Sequence, residues 1–318
     1  MKSAVLFNYG ESPKFQEYPE PSPKKGEILV DMVASSIKQL DKTIASGRHY
    51  TKYPSLPAIV GLDGIAQLAD GAHVYIPGIH GALAQKAIAT DGRWIVVPAN
   101  LNIELAAALP NALIGADAAL LYRGAMKSGD HVMVNGATGA TGRIAVQMAK
   151  NRGAGCVIAM GRQSSGLSEL KDLGADILID TEKSEELLVE ELKAITAQYQ
   201  PSIIIDYLWG HPVELILQAF KSLPPRKLVI TTVGEMAGSN IILPSAILRS
   251  TQIEFTGSGI GSIPYSDIHK YVAEVLPEVF QLAAEGKIKI DLEITQLKDV
   301  ETIWSQNEKP GSRIVIKI

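Results

Sequence analysis

The chain of 318 residues contains a single cysteine, Cys156, and this scarcity excludes several kinds of site. One thiol cannot form a disulfide within the chain or a zinc site that needs several thiolates. The histidines are scattered without the spacing of metal ligands, at His49, His73, His80, His131, His211 and His269. We therefore predict no metal site and a reducing compartment, the cytoplasm.

An excess of one charge is also absent, because 30 Lys and Arg residues face 34 Asp and Glu residues without a sustained basic run. This balance predicts neither nucleic acid nor a membrane as a partner and favours a small-molecule substrate. The longest apolar run, from Leu105 to Leu121, contains Pro110 and Asp117. We expect it to be broken there and too short to cross a bilayer. The first residues indicate a strand and not a signal peptide.

Between residues 109 and 260, apolar runs alternate with helical segments. The runs are HVMVNG, CVIAMG, DILID, SIIIDYLW, KLVITTVG and QIEFTGSG, and the helical segments are TGRIAVQMAKNRG, SGLSELKDLG, EELLVEELKAITAQY and PVELILQAFKSL. This alternation predicts an α/β fold with a doubly wound parallel sheet. Residues 1–108 carry short strands and loops, which are typical of a mostly β unit. We expect the closing strand, RIVIKI, to pair with that unit, so that the parallel sheet is an insertion.

A glycine-rich loop follows the first of these runs and opens a helix, in VNGATGATGRIAVQMAK. Gly136, Gly139 and Gly142 lie three residues apart, in the arrangement in which backbone amides receive a pyrophosphate. Thr138 and Thr141 add hydroxyls that can bond phosphate or cap the helix. The alternative is a tight turn without a ligand, but the strand before, the helix after and a second strand at the right distance favour a nucleotide.

The position that distinguishes NAD from NADP is expected about 20 residues past such a loop. Arg162 lies 20 residues past Gly142, and no carboxylate stands there. A guanidinium suits the 2′-phosphate of NADPH, and Ser164 and Ser165 add further donors. We predict NADPH as the cofactor, with the alternative that Arg162 is a solvated loop residue.

With this loop in mid-chain behind a β unit, the sequence resembles the medium-chain dehydrogenase/reductase superfamily, specifically its zinc-free quinone oxidoreductase branch. The likeness runs nearly end to end, through ASSIKQLDKTIASGRHY, LPNALIGADAALLYRGAMKSGDHVMVNGATGATGRIAVQMAK, ELKDLGADILID and GSRIVIKI. The resemblance implies a GroES-like catalytic domain, residues 1–108 and 261–318, and an inserted Rossmann domain, residues 109–260. It also implies a homodimer, which we expect to form through the sheet edge at QIEFTGSG.

The resemblance also implies cofactor contacts after the first, second, fifth and sixth strands of the inserted domain. Together with the loop glycines and the serine after Arg162, the predicted contacts are Gly136, Ala137, Thr138, Gly139, Ala140, Thr141, Gly142, Gly161, Arg162, Ser164, Val233, Gly234, Ser258, Gly259 and Ile260.

The chemistry implied is hydride transfer from NADPH to a quinone or to the β-carbon of an enone. The charge that arrives on the acceptor oxygen needs a proton donor, and the catalytic candidates are Lys38, Tyr50 and Tyr53. The segment from Tyr50 to Tyr53 matches the loop where the family places a tyrosine beside the nicotinamide. Lys38 stands where the family has an asparagine, three residues before Asp41. The alternatives are aromatic packing for the tyrosines and a solvated charge for Lys38.

Two other functions compete with this interpretation. A nucleotide-sensing or scaffold protein could keep the glycine loop without catalysis. A short-chain dehydrogenase could carry a loop like GATGATG, but that family uses a Tyr-x-x-x-Lys pair, and none of the ten tyrosines has lysine four residues later.

Overall fold

The computed structural model describes residues 1–78, 81–221, 226–259, 261–306 and 308–318. The chain forms two compact units. Unit 1 comprises Met1–Asn111 and Val272–Ile318, and unit 2 comprises Ala112–Tyr271. The domain boundaries expected from the sequence, between residues 108 and 109 and between residues 260 and 261, stay predictions.

The regular elements follow the chain in this order. The first part contains β1 (Lys2–Leu6), β2 (Lys14–Glu17), β3 (Glu27–Ile37), α1 (Gln39–Ala45), β4 (Ala58–Ile59), β5 (Gly64–Gln67), β6 (His73–Ile76), β7 (Lys86–Thr90), β8 (Ile95–Val96) and α2 (Ile103–Leu113). The middle contains β9 (His131–Asn135), α3 (Ala140–Asn151), β10 (Cys156–Gly161), β11 (Ile177–Asp180), α4 (Glu185–Tyr199), β12 (Ile203–Asp206), α5 (Gly210–Phe220), β13 (Lys227–Thr232), α6 (Ser245–Ser250) and β14 (Gln252–Gly257). The last part contains α7 (Tyr265–Lys270), α8 (Leu276–Ala284), β15 (Asp291–Gln296), α9 (Val300–Trp304) and β16 (Ser312–Lys317).

Unit 1 is built mainly on antiparallel pairing, although β15 and β16 run parallel. One sheet has the order β2-β1-β4, and a larger one has the order β15-β16-β3-β5-β6-β8 with β7 also paired to β3. β16 runs antiparallel to β3, with Ile314 opposite Ile37. This pairing confirms that the closing strand joins the N-terminal β unit. The inward side chains form separate apolar clusters, one that includes Leu6, Leu83 and Ile316 and another that includes Val30 and Val74.

Unit 2 is built on a parallel sheet of order β11-β10-β9-β12-β13-β14. The six apolar runs of the sequence form these six strands, as predicted. Side chains are buried along β9, β10, β12 and most of β13, and these runs show little polar alternation, as is typical of strands buried on both faces. β14, at the edge of the sheet, is only partly buried, and its residues QIEFTG alternate between polar and apolar. The strand order reverses between β9 and β12, and ligands of such sheets bind at the carboxyl ends of strands beside that point.

The segment SGLSELKDLG departs from its predicted helix. It forms two short 3₁₀ turns, Gln163–Ser165 and Leu167–Lys171. Gly166 separates them with φ of +81°, a left-handed conformation that ends a right-handed helix. The apolar spacing in this segment places Leu167 and Leu170 in the core without a continuous α-helix.

The apolar run from Leu105 is not broken at Pro110 or Asp117, so that prediction is wrong. α2 continues directly into a π-helix, Ile114–Arg123. Asp117 is tolerated because Arg152 forms an ion pair with it and the Tyr271 hydroxyl donates to it at 2.8 Å. By length and composition the 21 residues Ile103–Arg123 could cross a membrane, although 67% of their most apolar window is buried inside the protein. A cytoplasmic location stays a prediction.

Candidate functional site

The glycine loop lies where the sequence places it, between the end of β9 and the start of α3. The N–H groups of Gly136 and Ala137 both donate to the Met160 carbonyl, at 3.1 and 2.8 Å. Gly136 has φ of +84°, which a residue with a side chain adopts only with strain. The loop is therefore fixed to the end of β10.

Two glycines of the predicted site are required by close packing. A Cβ on Gly142 would lie 2.3 Å from the Gly136 carbonyl oxygen, and a Cβ on Gly161 would lie 2.5 Å from Thr138 Cγ2. Gly139 differs, because a Cβ there would have only the Gly136 oxygen near it, at 3.5 Å, and the residue is exposed. The inner side of the loop is packed, and its outer side at Gly139 is open.

The start of α3 is suited to an anion. The Arg143 N–H donates to the Gly139 carbonyl at 2.9 Å, which is the first backbone bond of the helix. The N–H groups of Ala140, Thr141 and Gly142 precede that bond, and a helix leaves such groups without carbonyl partners. Gly139 caps the helix without a side-chain bond. These donors and the helix dipole fit the pyrophosphate of a dinucleotide.

The loops after β13 and β14 lie at the same edge of the sheet. The Val233 N–H donates to the Asp206 carbonyl and the Ser258 N–H to the Thr232 carbonyl, both at 2.7 Å. Thr141 and Val233 meet at Gly115, where an added Cβ would lie 3.2 Å from Thr141 Cγ2 and 3.5 Å from Val233 Cγ1.

Two further contacts belong to these loops. A Cβ on Gly234 would lie 2.7 Å from the Tyr207 carbonyl oxygen. The Gly259 N–H donates to Ser262 Oγ at 2.8 Å. Ile260, also a predicted contact, lies outside the described residues.

Asp206 joins β9 and β12 at the reversal of the strand order. Its buried carboxylate accepts hydrogen bonds from Asn135 Nδ2 at 2.8 Å and from the N–H groups of Leu208 and Trp209 at 3.1 and 3.0 Å. Burial raises the pKa of Asp206, and these bonds oppose that rise. Asp206 is not among the predicted site residues, although a carboxylate at the end of an apolar strand is a usable signal.

Arg162 and Ser164 follow β10 and are both exposed. The Arg162 guanidinium makes no hydrogen bond or ion pair with any residue that the structure describes. Ser164 is already bonded, because its N–H and its hydroxyl both donate to the Glu182 carboxylate, at 2.9 and 2.5 Å. Glu182 was missed because it lies 18 residues away in the sequence. The structure thus brings a cation and an anion together after the second strand.

Lys38 is buried and not solvated, so that alternative is wrong. Its ammonium nitrogen lies 2.6 Å from Asp63 Oδ1, 2.8 Å from the Ser36 carbonyl and 3.3 Å from Asp41 Oδ2. The Tyr75 hydroxyl donates to the other oxygen of Asp63 at 3.1 Å. Burial opposes the charge of Lys38, but Asp41 and Asp63 outweigh it and raise the pKa of the amine. In this arrangement the three donors of the ammonium group are engaged.

The two tyrosines of the predicted catalytic loop have opposite environments. Tyr50 is 77% exposed, with its ring 3.9 Å from the ring of His49. Tyr53 is buried in the core of unit 1, and its hydroxyl has no hydrogen-bond partner in the described part of the chain. Burial first, and the charge of Asp41 second, raise the pKa of Tyr53. The burial of Tyr53 fits the packing alternative, whereas the side chain of Tyr50 is exposed.

Within the described ranges, no three His, Cys, Asp or Glu side chains cluster as metal ligands would. Cys156 is buried in β10, and burial raises the pKa of its thiol. His80 lies outside the ranges that the structure describes.

Comparison with known proteins gives relatives by sequence. The model of the family described as zinc-binding dehydrogenase matches residues 140–278. A quinone oxidoreductase from Sus scrofa is 32% identical over 168 residues, which cover 48% of this chain and 50% of that protein. The chain spans about half the length of the first curated relatives it matches.

Comparison with solved structures covers the whole chain. A mycobacterial quinone oxidoreductase superimposes with a TM-score of 0.82 at 19% identity over 100% of both chains. The quinone oxidoreductase of Thermus thermophilus, solved also in complex with NADPH, gives a TM-score of 0.79 at 21% identity over 100% of both chains. These likenesses confirm the predicted fold of a GroES-like unit with an inserted Rossmann unit. By sequence, the chain is similar to the zinc-binding dehydrogenase family over residues 140–278 and to a quinone oxidoreductase over about half its length.

Proposed function

We propose that the protein is a zinc-independent, NADPH-dependent oxidoreductase that transfers hydride to a quinone or an α,β-unsaturated carbonyl compound. The observation that carries this proposal is the glycine loop, which is packed on its inner side at Gly142 and open on its outer side at Gly139. The names of the relatives support the reaction class.

The cofactor would bind along the carboxyl edge of the parallel sheet. The amides of Ala140, Thr141 and Gly142 would hold the pyrophosphate, and Arg162 would hold the 2′-phosphate. Val233, Gly234, Ser258 and Gly259 follow strands that end at the same edge, and we propose that they line the rest of the dinucleotide.

Bound NADPH would supply the hydride, and the chain itself would supply a proton to the acceptor oxygen. Tyr50 is the candidate with an exposed side chain. Lys38 and Tyr53, the other candidates, are less suited to donate, since the Lys38 ammonium group is engaged with carboxylates and Tyr53 is buried. Hydride transfer to a quinone needs little beyond proximity, so the protein's main contribution would be positioning.

Zinc independence rests on the chain's ligand chemistry. Cys156 is the one thiol in the sequence, and it lies within β10. Catalytic zinc sites take three protein ligands, commonly histidine, cysteine or carboxylate. The carboxylates of Asp41 and Asp63 are both ion-paired with the single ammonium group of Lys38.

Turnover is the test of this function. We expect the purified protein, dialysed against a metal chelator, to oxidise NADPH with at least one member of a panel of quinones, enals and enones, as followed by nicotinamide absorbance. NADPH binding without oxidation across the panel would favour the sensing or scaffold alternative. Loss of activity on dialysis that zinc restores would contradict the zinc-independent mechanism.

We also propose that the protein is a homodimer joined at β14, which lies at one edge of the parallel sheet. An unpaired sheet edge invites pairing with another chain. Exposed apolar side chains, Met236, Ile242 and Leu248, stand on the segment that precedes this strand. Light scattering at micromolar concentration should give twice the chain mass of 34.1 kDa. The mass of a single chain would contradict the proposal.

A further inference from the structure

The end of β10 carries an arrangement that the cofactor proposal does not use. The Glu182 carboxylate accepts from both donors of Ser164, the backbone N–H at 2.9 Å and the hydroxyl at 2.5 Å. These are the donors that a 2′-phosphate would take beside Arg162. A carboxylate of this chain thus occupies the position of an anion in the proposed phosphate site.

The backbone fixes Glu182 at this place. β10 and β11 run parallel with Gly161 opposite Asp180, so the residues after the two strands emerge side by side. One oxygen of Asp180 accepts from the N–H groups of Gln163 and Glu182, at 3.3 and 3.0 Å. Both turns are therefore tied to one carboxylate, which holds Glu182 next to Ser164.

Charge decides what this placement does to the cofactor. Hydrogen bonds from Ser164, with a smaller contribution from the Arg162 charge, lower the pKa of Glu182, so the carboxylate is ionised at neutral pH. A 2′-phosphate carries nearly two negative charges and would meet this carboxylate with its two serine donors already engaged. The 2′-hydroxyl of NADH carries no charge and can donate to a carboxylate.

We infer that Glu182 is a specificity-determining residue that opposes Arg162, lowering the affinity for NADPH relative to NADH. This inference rests on the proposed cofactor site. Arg162 attracts the 2′-phosphate. Glu182 repels it and accepts the two hydrogen bonds that Ser164 could otherwise donate to the phosphate. The cofactor preference is the difference between the two effects, so it is smaller than Arg162 alone would give.

Glu182→Gln tests the inference, because the charge is removed and the single amide oxygen can keep only one of the two bonds from Ser164, which releases the other donor. We expect NADPH to bind roughly three- to tenfold more tightly, since the carboxylate is exposed and its repulsion is partly screened. NADH should bind to Glu182→Gln as tightly as to wild type, or more weakly. Titration of both cofactors by nicotinamide fluorescence gives the four dissociation constants. Glu186→Gln, the same change at an exposed glutamate without a bond to Ser164, is the matched control and should change neither.

Ionic strength provides a second measurement, because screening weakens interactions between exposed charges. The dissociation constant of NADPH for wild type, divided by that for Glu182→Gln, should approach one as the salt concentration is raised. Equal changes for both cofactors, or an NADPH affinity that the substitution leaves unchanged, would overturn the inference and show that Glu182 only ties the two turns together. A wild-type protein that binds no NADPH would instead overturn the proposed cofactor site, and this inference with it.

Discussion

Replacing Gly142 by alanine is expected to destabilise unit 2 and to abolish tight binding of the dinucleotide. The added Cβ would lie 2.3 Å from the Gly136 oxygen and 2.7 Å from Ala137 Cα, and neither backbone atom can move alone. Alanine is the better helix former by about 1 kcal/mol, but overpacking against a fixed backbone costs about 3 kcal/mol. We therefore expect a net loss of about 2 kcal/mol, measurable by urea denaturation, and a displaced loop.

Gly139→Ala is the matched control for this substitution. A Cβ there would have one neighbour, the Gly136 oxygen at 3.5 Å, which is an ordinary contact. The variant should keep the stability of the wild type within about 0.5 kcal/mol. Its cofactor affinity should still fall, because the methyl group would face the open side of the loop, where the proposal places the phosphates. A Gly142→Ala protein with wild-type stability and affinity would contradict this account of the loop.

Replacing Arg162 by alanine is expected to weaken NADPH binding roughly ten- to a hundredfold and to leave NADH binding nearly unchanged. A guanidinium that pairs with a phosphate makes charge-assisted hydrogen bonds, whose loss costs on the order of 1.5–3 kcal/mol. NADH lacks the 2′-phosphate and makes no such hydrogen bonds with Arg162, so its affinity should not change. Titration of NADPH and of NADH into wild type and Arg162→Ala, followed by nicotinamide fluorescence, gives the dissociation constants.

Arg249→Ala, which removes an exposed arginine of α6, is the matched control and should affect neither cofactor. Equal losses of NADPH and NADH in Arg162→Ala would mean that the arginine only supports its loop. A wild-type protein that prefers NADH would contradict the assignment of NADPH. If Glu182→Gln then reversed that preference, the result would support the inference about Glu182.

Local sequence was sufficient for the elements whose causes are local. The inner strands of the parallel sheet, β9, β10, β12 and β13, are largely apolar runs, and burial on both faces requires such runs whatever the surroundings. The glycine loop could be located because backbone geometry and close packing at Gly136 and Gly142 admit no side chain. The 3₁₀ turns at residues 163–171 were missed because apolar spacing is similar in both helix types, and Gly166 ends the segment in a way that spacing does not record.

The environments of the catalytic candidates could not be predicted, because they depend on residues distant in sequence. Lys38 is neutralised by Asp63, 25 residues later, and nothing near Lys38 in SSIKQLD indicates that partner. The same holds for Ser164 and Glu182, which meet only because β10 and β11 are neighbours. The predicted break at Pro110 was wrong for a related reason. Burial of α2 offsets the hydrogen bond and the steric fit that proline removes from an isolated helix.

The pairing of β16 with β3 has a consequence for the order in which the protein folds during synthesis. Unit 2 is one contiguous segment and can complete its sheet once residue 271 has left the ribosome. The larger sheet of unit 1 must wait, because β3 receives β16 only after some 275 further residues have been made. Contacts this distant in sequence slow folding, because the chain between the two strands must first be made and its ends brought together. We expect the nascent N-terminal strands to be the segment most dependent on chaperones, and the inserted unit to be the first part to resist proteolysis.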